Sequence, residues 1–257
     1  MYNTDINILG GVPNYDLIYK ALPHLIEGKE EVQTALIDNN EFDFRTERSR
    51  IRFFTLLKSA FISENPDVNN WSSELIQFLK NDEKSQALVI FWLFSLNNKL
   101  FFDLNRDVYF NYYYQGRTEL PKADVVAYLK DKLATNSELK EKWSENTINT
   151  VAYKYLSVLK KMHLLEGSRK KTFHLVRIND EMLAAFIHLL DIKKPYFSNA
   201  LEDDFLQFSF VPNENIISRL KKIGKKDWIK INQTGTSLKL EGFYEPNQLI
   251  DGIFRRA

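Results

Sequence analysis

From Ser144 to Met162 the apolar residues Ile148, Val151, Ala152, Tyr155, Leu156, Leu159 and Met162 recur every three or four positions. That spacing gathers them on one face and predicts an amphipathic helix. Its other face carries Asn146, Asn149, Thr150, Tyr153, Ser157, Lys160 and Lys161, with Lys154 at the margin. The start falls at Ser144-Glu145, where the hydroxyl can cap orphan N–H groups and the carboxylate meets the positive end of the helix dipole. Pro121 suits the first turn of an earlier helix running to about Leu133. After the Ser144 helix, Leu164-Leu165-Glu166 enters a turn at Gly167, and Thr172-Phe173-His174-Leu175-Val176 is a β-prone return.

Helix, turn, capped helix and hairpin, in that order, form the outline of a winged helix-turn-helix. The same patterning makes the remainder mainly helical. Apolar periodicity predicts helices at Tyr15 to Leu22, Glu30 to Ile37, Arg45 to Ile62, Ser72 to Leu79, Glu83 to Asn98 and Asn105 to Tyr114, joined by short connections as in a bundle. Pro23 ends the first of them. Asp180 to Leu190 reads as a further helix. Pro212-Asn213 then starts a helix through Ile223, stopped by Gly224, and Trp228 to Asn232 and Ser237 to Glu241 form a hairpin around Gly235. Three segments follow: an N-terminal helical bundle (1–117), a winged-helix-like module (118–194) and a C-terminal helix and β-hairpin unit (195–257).

Charge sharpens the picture. The whole chain is nearly balanced, 35 Lys and Arg against 34 Asp and Glu, but Lys140 to Arg177 holds nine basic residues against three glutamates. The first 44 residues lean the other way, with eight acids against two lysines. Segregation of this kind points to an anionic partner for one part of the molecule. The hairpin tip Gly167-Ser168-Arg169-Lys170-Lys171 lies inside the basic stretch, where a DNA-binding wing would carry its charge. A solvated lysine-rich face is the plainer reading of the helix alone. Arg45, Arg48 and Arg52 fall within about 60° on a helical wheel and form a candidate second anion stripe; neutralisation of Asp43 and Glu47 is the preferred account of them. Lys221, Lys222, Lys225, Lys226 and Lys230 make the C-terminal unit basic as well.

Several functions lose support. There is no cysteine, so disulfides, thiolate catalysis and cysteine zinc sites are excluded. His24, His163, His174 and His188 are scattered without a metal-binding pattern, and no glycine-rich phosphate loop occurs. Glu202-Asp203-Asp204 reads as a helix start rather than nuclease carboxylates. No catalytic residue, metal or cofactor is expected. The apolar run Ala87 to Leu96 is too short to cross a bilayer, which needs about 17 to 25 residues, and fits a buried bundle helix. The cluster Tyr109-Phe110-Asn111-Tyr112-Tyr113-Tyr114 is expected to pack between segments rather than stack on bases. The opening Met1-Tyr2-Asn3-Thr4-Asp5 lacks the basic and apolar regions of a secretory leader, and the expectation is a cytoplasmic protein.

Gly10-Gly11 before a short helix, Thr46-Glu47-Arg48-Ser49-Arg50, Trp143-Ser144-Glu145-Asn146-Thr147, Leu164-Leu165 and the tail Arg219-Leu220-Lys221-Lys222-Ile223 give the chain a layout that resembles the BrxA family of BREX bacteriophage-defence systems. The resemblance implies a small, non-enzymatic, mostly helical double-stranded DNA-binding protein, with other subunits of the defence complex as partners. Asn146, Asn149, Thr150, Tyr153, Lys154, Lys160, Lys161, Arg169, Lys170 and Lys171 are the candidate DNA contacts, with Arg45, Arg48 and Arg52 as a second set. Two alternatives stay open: a protein–protein adaptor working through the acidic N-terminal region or the aromatic cluster, and a sequence-specific repressor.

Overall fold

Short polar caps at Thr46, Asn65, Asp82, Asn98 and Ser144 set where five helices of this computed structural model begin, and the apolar stripes behind them set what they pack against. The structure describes residues 15–26, 28–136, 143–193 and 199–255. Gly10-Gly11, Lys140 and Lys142 therefore lie outside the described residues. The described chain is predominantly helical, with two small two-stranded sheets.

In the bundle, helix α1 (Tyr15–Ala21) runs into a 3-10 turn (Leu22–Ile26) that contains Pro23, and α2 (Lys29–Gln33) widens into a π turn (Thr34–Asp38). Helix α3 (Glu47–Ala60) starts at the cap Thr46, whose hydroxyl accepts from the Ser49 N–H. Helix α4 (Pro66–Phe78) begins six residues ahead of its expected start, because Asn65 caps it and Pro66 occupies the first turn. Helix α5 (Glu83–Asn97) is the apolar run and is buried along Gln86 to Ser95. Among the described residues no single helix is long and apolar enough to cross a membrane.

Asn98 restarts the chain as α6 (Lys99–Leu104), and a π turn (Asn105–Tyr109) joins it to α7 (Phe110–Tyr114). The expected helix thus begins earlier and is interrupted. Helix α8 (Lys122–Thr135) has Pro121 at its cap position, and α9 (Glu145–Lys161) follows. The hairpin strands β1 (Leu165–Glu166) and β2 (Thr172–Phe173) are two residues each, so the expected return strand to Val176 is cut short. In its place the chain before α8 adds a partial third strand. Glu119 bridges Thr172, the Leu120 N–H donates to Lys171 O at 2.8 Å and the Phe173 N–H donates to Thr118 O at 3.0 Å.

Helix α10 (Asp180–Lys193) and helix α11 (Asn213–Gly224) precede the second hairpin, β3 (Ile229–Thr234) and β4 (Ser237–Gly242). Its register pairs Thr234 with Ser237 around Gly235, at φ +58, the backbone a tight hairpin turn requires. Glu202 closes a 3-10 turn (Ala200–Glu202) instead of opening a helix, and Asp204 pairs with Arg106 at 3.0 Å.

Buried side chains from all three segments merge into one contiguous core. Its polar ties cross the chain: Trp71 Nε1 donates to Ala185 O at 3.0 Å and Trp92 Nε1 to Phe208 O at 2.9 Å. The aromatic cluster belongs to this core, with Tyr109 and Phe110 buried, Tyr113 OH accepting from the Val176 N–H and Tyr114 OH donating to Gln207 O. The cluster packs between segments, as expected.

Candidate nucleic-acid interface

Helix α9 spends one whole face on the core. Ile148, Val151, Ala152, Tyr155, Leu156, Val158 and Leu159 are buried. Tyr155 OH reaches Asn105 Oδ1 in the π turn at 3.0 Å, and burial raises the Tyr155 pKa, keeping it a neutral donor. At the start, Ser144 Oγ accepts from the Thr147 N–H at 3.3 Å, as a cap should. Glu145 beside it pairs with Lys130 of α8 at 2.7 Å, which lowers its pKa. At the end, His163 takes the left-handed conformation (φ 58), and the Leu164 N–H reaches back to Leu159 O. His163 thus closes the helix and meets Glu83 of α5 at 3.2 Å.

The opposite face is what the molecule presents. Tyr153 is 67% exposed, Asn146, Lys160 and Lys161 are exposed, and Asn149, Thr150 and Lys154 are half-buried. The Asn149 side-chain amide donates to Glu145 O at 3.1 Å and the Thr150 hydroxyl to Asn146 O at 2.9 Å, so the helix holds both. Tyr153 is the best-presented group near the middle of this face. No acid interrupts the helix after Glu145.

At the hairpin tip the three cations differ. Arg169 is exposed and makes no ion pair with a described residue, while Lys170 lies 3.9 Å from Glu119. Lys171 folds back, its ammonium donating to Gly167 O at 3.0 Å and Ser168 O at 2.7 Å. Burial and then the nearby Lys160 charge lower its pKa. Gly167, at φ +81, permits the turn: a Cβ there would lie 2.2 Å from Lys170 O.

The second set of candidates does not come together as one stripe. Arg45 precedes the Thr46 cap and lies outside α3, so only Arg48 and Arg52 share a helical face. All three are exposed and make no ion pair with Asp43, Glu47 or any other described residue. Neutralisation of the nearby acids, the preferred reading, is therefore absent from the geometry. Arg50, between them, turns inward and donates to Ile37 O. Sequence reasoning overlooked two features of the site: Glu119 beside Lys170, and the third strand that braces the hairpin. Neither carries a periodic signal.

Among the described residues no group of histidines and carboxylates could hold a metal ion. Fold and surface together define a mainly helical protein that turns one polar, basic helix and a basic hairpin outward from a shared core. Residues 19–188 match the family BrxA. The chain belongs to the BrxA family, and that membership associates it with BREX bacteriophage defence. A comparison with curated proteins finds no match.

Proposed function

We propose that this chain is a non-catalytic, cytoplasmic subunit that binds double-stranded DNA within a BREX phage-defence system. The region from Pro121 to Phe173 is read as a winged helix-turn-helix, with α8 and α9 as the helix pair and β1 and β2, braced by Thr118 to Leu120, as the wing. The observation that carries this reading is the face of α9. One side is wholly committed to the core, and the other presents Asn146, Tyr153, Lys160 and Lys161 without an acid after Glu145.

In this reading Tyr153 and Asn146 meet base edges in the major groove, and Asn149 and Thr150 line its floor. Lys154, Lys160 and Lys161 meet phosphates, and Arg169 and Lys170 meet the backbone beside the wing. Such contacts are mainly electrostatic. Affinity for random duplex is expected in the range of about 10⁻⁴ to 10⁻⁶ M at physiological salt.

Fluorescence anisotropy with a random-sequence duplex and the matching single strand at two salt concentrations tests the proposal. Duplex binding that weakens with salt supports it. The adaptor reading gains if no duplex is bound at low salt. That reading has its own observation: Leu175, 64% exposed, stands at a groove of 670 Å³ lined by Tyr113, Phe173 and Phe210.

A further inference from the structure

The helix α11 and the β3–β4 hairpin lie beyond the residues that match the family, yet they repeat the arrangement of the α9 region. Helix α11 starts after Pro212, without a side-chain cap, and buries Ile216, Leu220 and Ile223. It ends in a lysine pair and a residue in the left-handed region (Asp227, φ 57), then enters a hairpin. Between Asn213 and Gly242 there are seven basic residues and three acids.

Five of these cations, on α11 and just past its end, fall into two stripes; Lys230 and Lys239 lie on the hairpin strands. Arg219 and Lys222 share one face of α11 and Lys226 lies just past its end, and all three converge on Asp180 at the start of α10, at 2.9, 2.7 and 3.8 Å. Burial pushes the Asp180 carboxyl up, but hydrogen bonds from Lys222 and Arg219 outweigh it and hold its pKa below the usual range. This stripe anchors the helix. The adjacent stripe, Glu214, Ser218, Lys221 and Lys225, spans about 60° of the helical wheel. Lys221 and Lys225 are exposed and make no ion pair with any described residue.

Position gives the second stripe its meaning. The start of α11, at Pro212, Asn213 and Glu214, faces Phe173, Leu175 and Val176 across the 670 Å³ groove. The second half of the helix is tied to Asp180, three residues past Arg177. Helix α11 thus runs alongside the stem that leads out of the first hairpin, for about 18 Å at 12 residues. That is roughly half of the ~34 Å helical repeat of a B-form duplex.

We propose that Lys221 and Lys225 form a second phosphate-contacting row that extends the duplex site past the wing. The inference rests on the duplex-binding reading above. Its ligand is the sugar–phosphate backbone, so the row adds affinity and salt dependence without base preference.

The test compares the wild-type chain, Lys221→Ala/Lys225→Ala and Lys221→Arg/Lys225→Arg, each checked by circular dichroism, on a random duplex of about three turns, or ~30 bp. Loss of two phosphate contacts lowers the slope of log K against log[salt] by about 1.8. The alanine pair is expected to show that drop, and the arginine pair to keep the wild-type slope. An alanine-pair titration that superimposes on wild type overturns the second row, as does an arginine pair that falls with it. If the wild type binds no duplex, the primary reading fails instead.

Discussion

The Tyr155 hydroxyl donates to Asn105 Oδ1 at 3.0 Å, and both side chains are fully buried. One residue lies on the inner face of the outward-presenting helix; the other lies in the π turn between α6 and α7. The same stretch of chain also holds α8, through Asp103 with Lys132 at 3.1 Å and Asp107 with Tyr128 at 2.5 Å. Both helices of the proposed reading head are therefore seated on one irregular turn of the bundle.

Tyr155→Phe removes the donor and leaves a buried amide oxygen unsatisfied. The expected loss is about 1–3 kcal/mol, read by urea denaturation. A double-mutant cycle with Asn105→Ala should recover most of that loss as coupling; full additivity would mean the two side chains do not act as a pair.

Ser144→Ala deletes the cap of α9 and should cost about 0.5–2 kcal/mol. Ser144→Asp restores an acceptor and should recover stability. Equal stability of all three proteins by thermal melting would show that the α9 start is held by other contacts.

The basic hairpin divides by role. Arg169→Ala/Lys170→Ala should lower the salt slope of duplex binding by about 1.8 with little change in stability. Lys171→Ala should instead loosen the turn, because that ammonium is bonded to Gly167 O and Ser168 O. Amide hydrogen exchange at residues 167–173 checks the second claim; unchanged exchange would contradict it.

His188 supplies a pH dependence. Burial lowers its pKa, against a hydrogen bond to Trp228 O at 2.9 Å that favours the charged form. A depressed histidine pKa means that the unfolded chain takes up the proton first. The stability from the neutral ring is complete above the unfolded value of about 6.5 and is lost as pH falls through the folded value. The slope for one proton is at most about 1.4 kcal/mol per pH unit. Denaturation of wild type and His188→Gln at pH 7 and pH 5 should show a wild-type loss that the variant lacks. Parallel curves would remove His188 from this role.

Much of the architecture was legible in the sequence because its signals are local. The α9 helix carries a cap, a 3.6-residue stripe and a polar face within 20 residues, and each is independent of the rest of the fold. The second hairpin announced itself through Gly235 in the same way. What escaped depends on partners distant in sequence. Thr118 to Leu120 becomes strand-like only because Lys171 and Phe173 arrive beside it. Arg45 drops out of the expected helical stripe because Thr46 caps the helix, which leaves Arg48 and Arg52 on one face. Lys171 looks like a phosphate contact in the sequence, and only the fold reveals that its ammonium also braces the turn through Gly167 O and Ser168 O.

The central claim concerns the face of α9, and a photo-crosslinker tests it most directly. With p-benzoylphenylalanine at position 153, a site already 67% exposed, irradiation with labelled random duplex should yield a covalent protein–DNA adduct. The adduct should fade as salt is raised, and the same substitution at exposed Phe78 should give none. A chain that retards the duplex while position 153 stays uncrosslinked, or that crosslinks equally from Phe78, would contradict the assignment of this face to DNA.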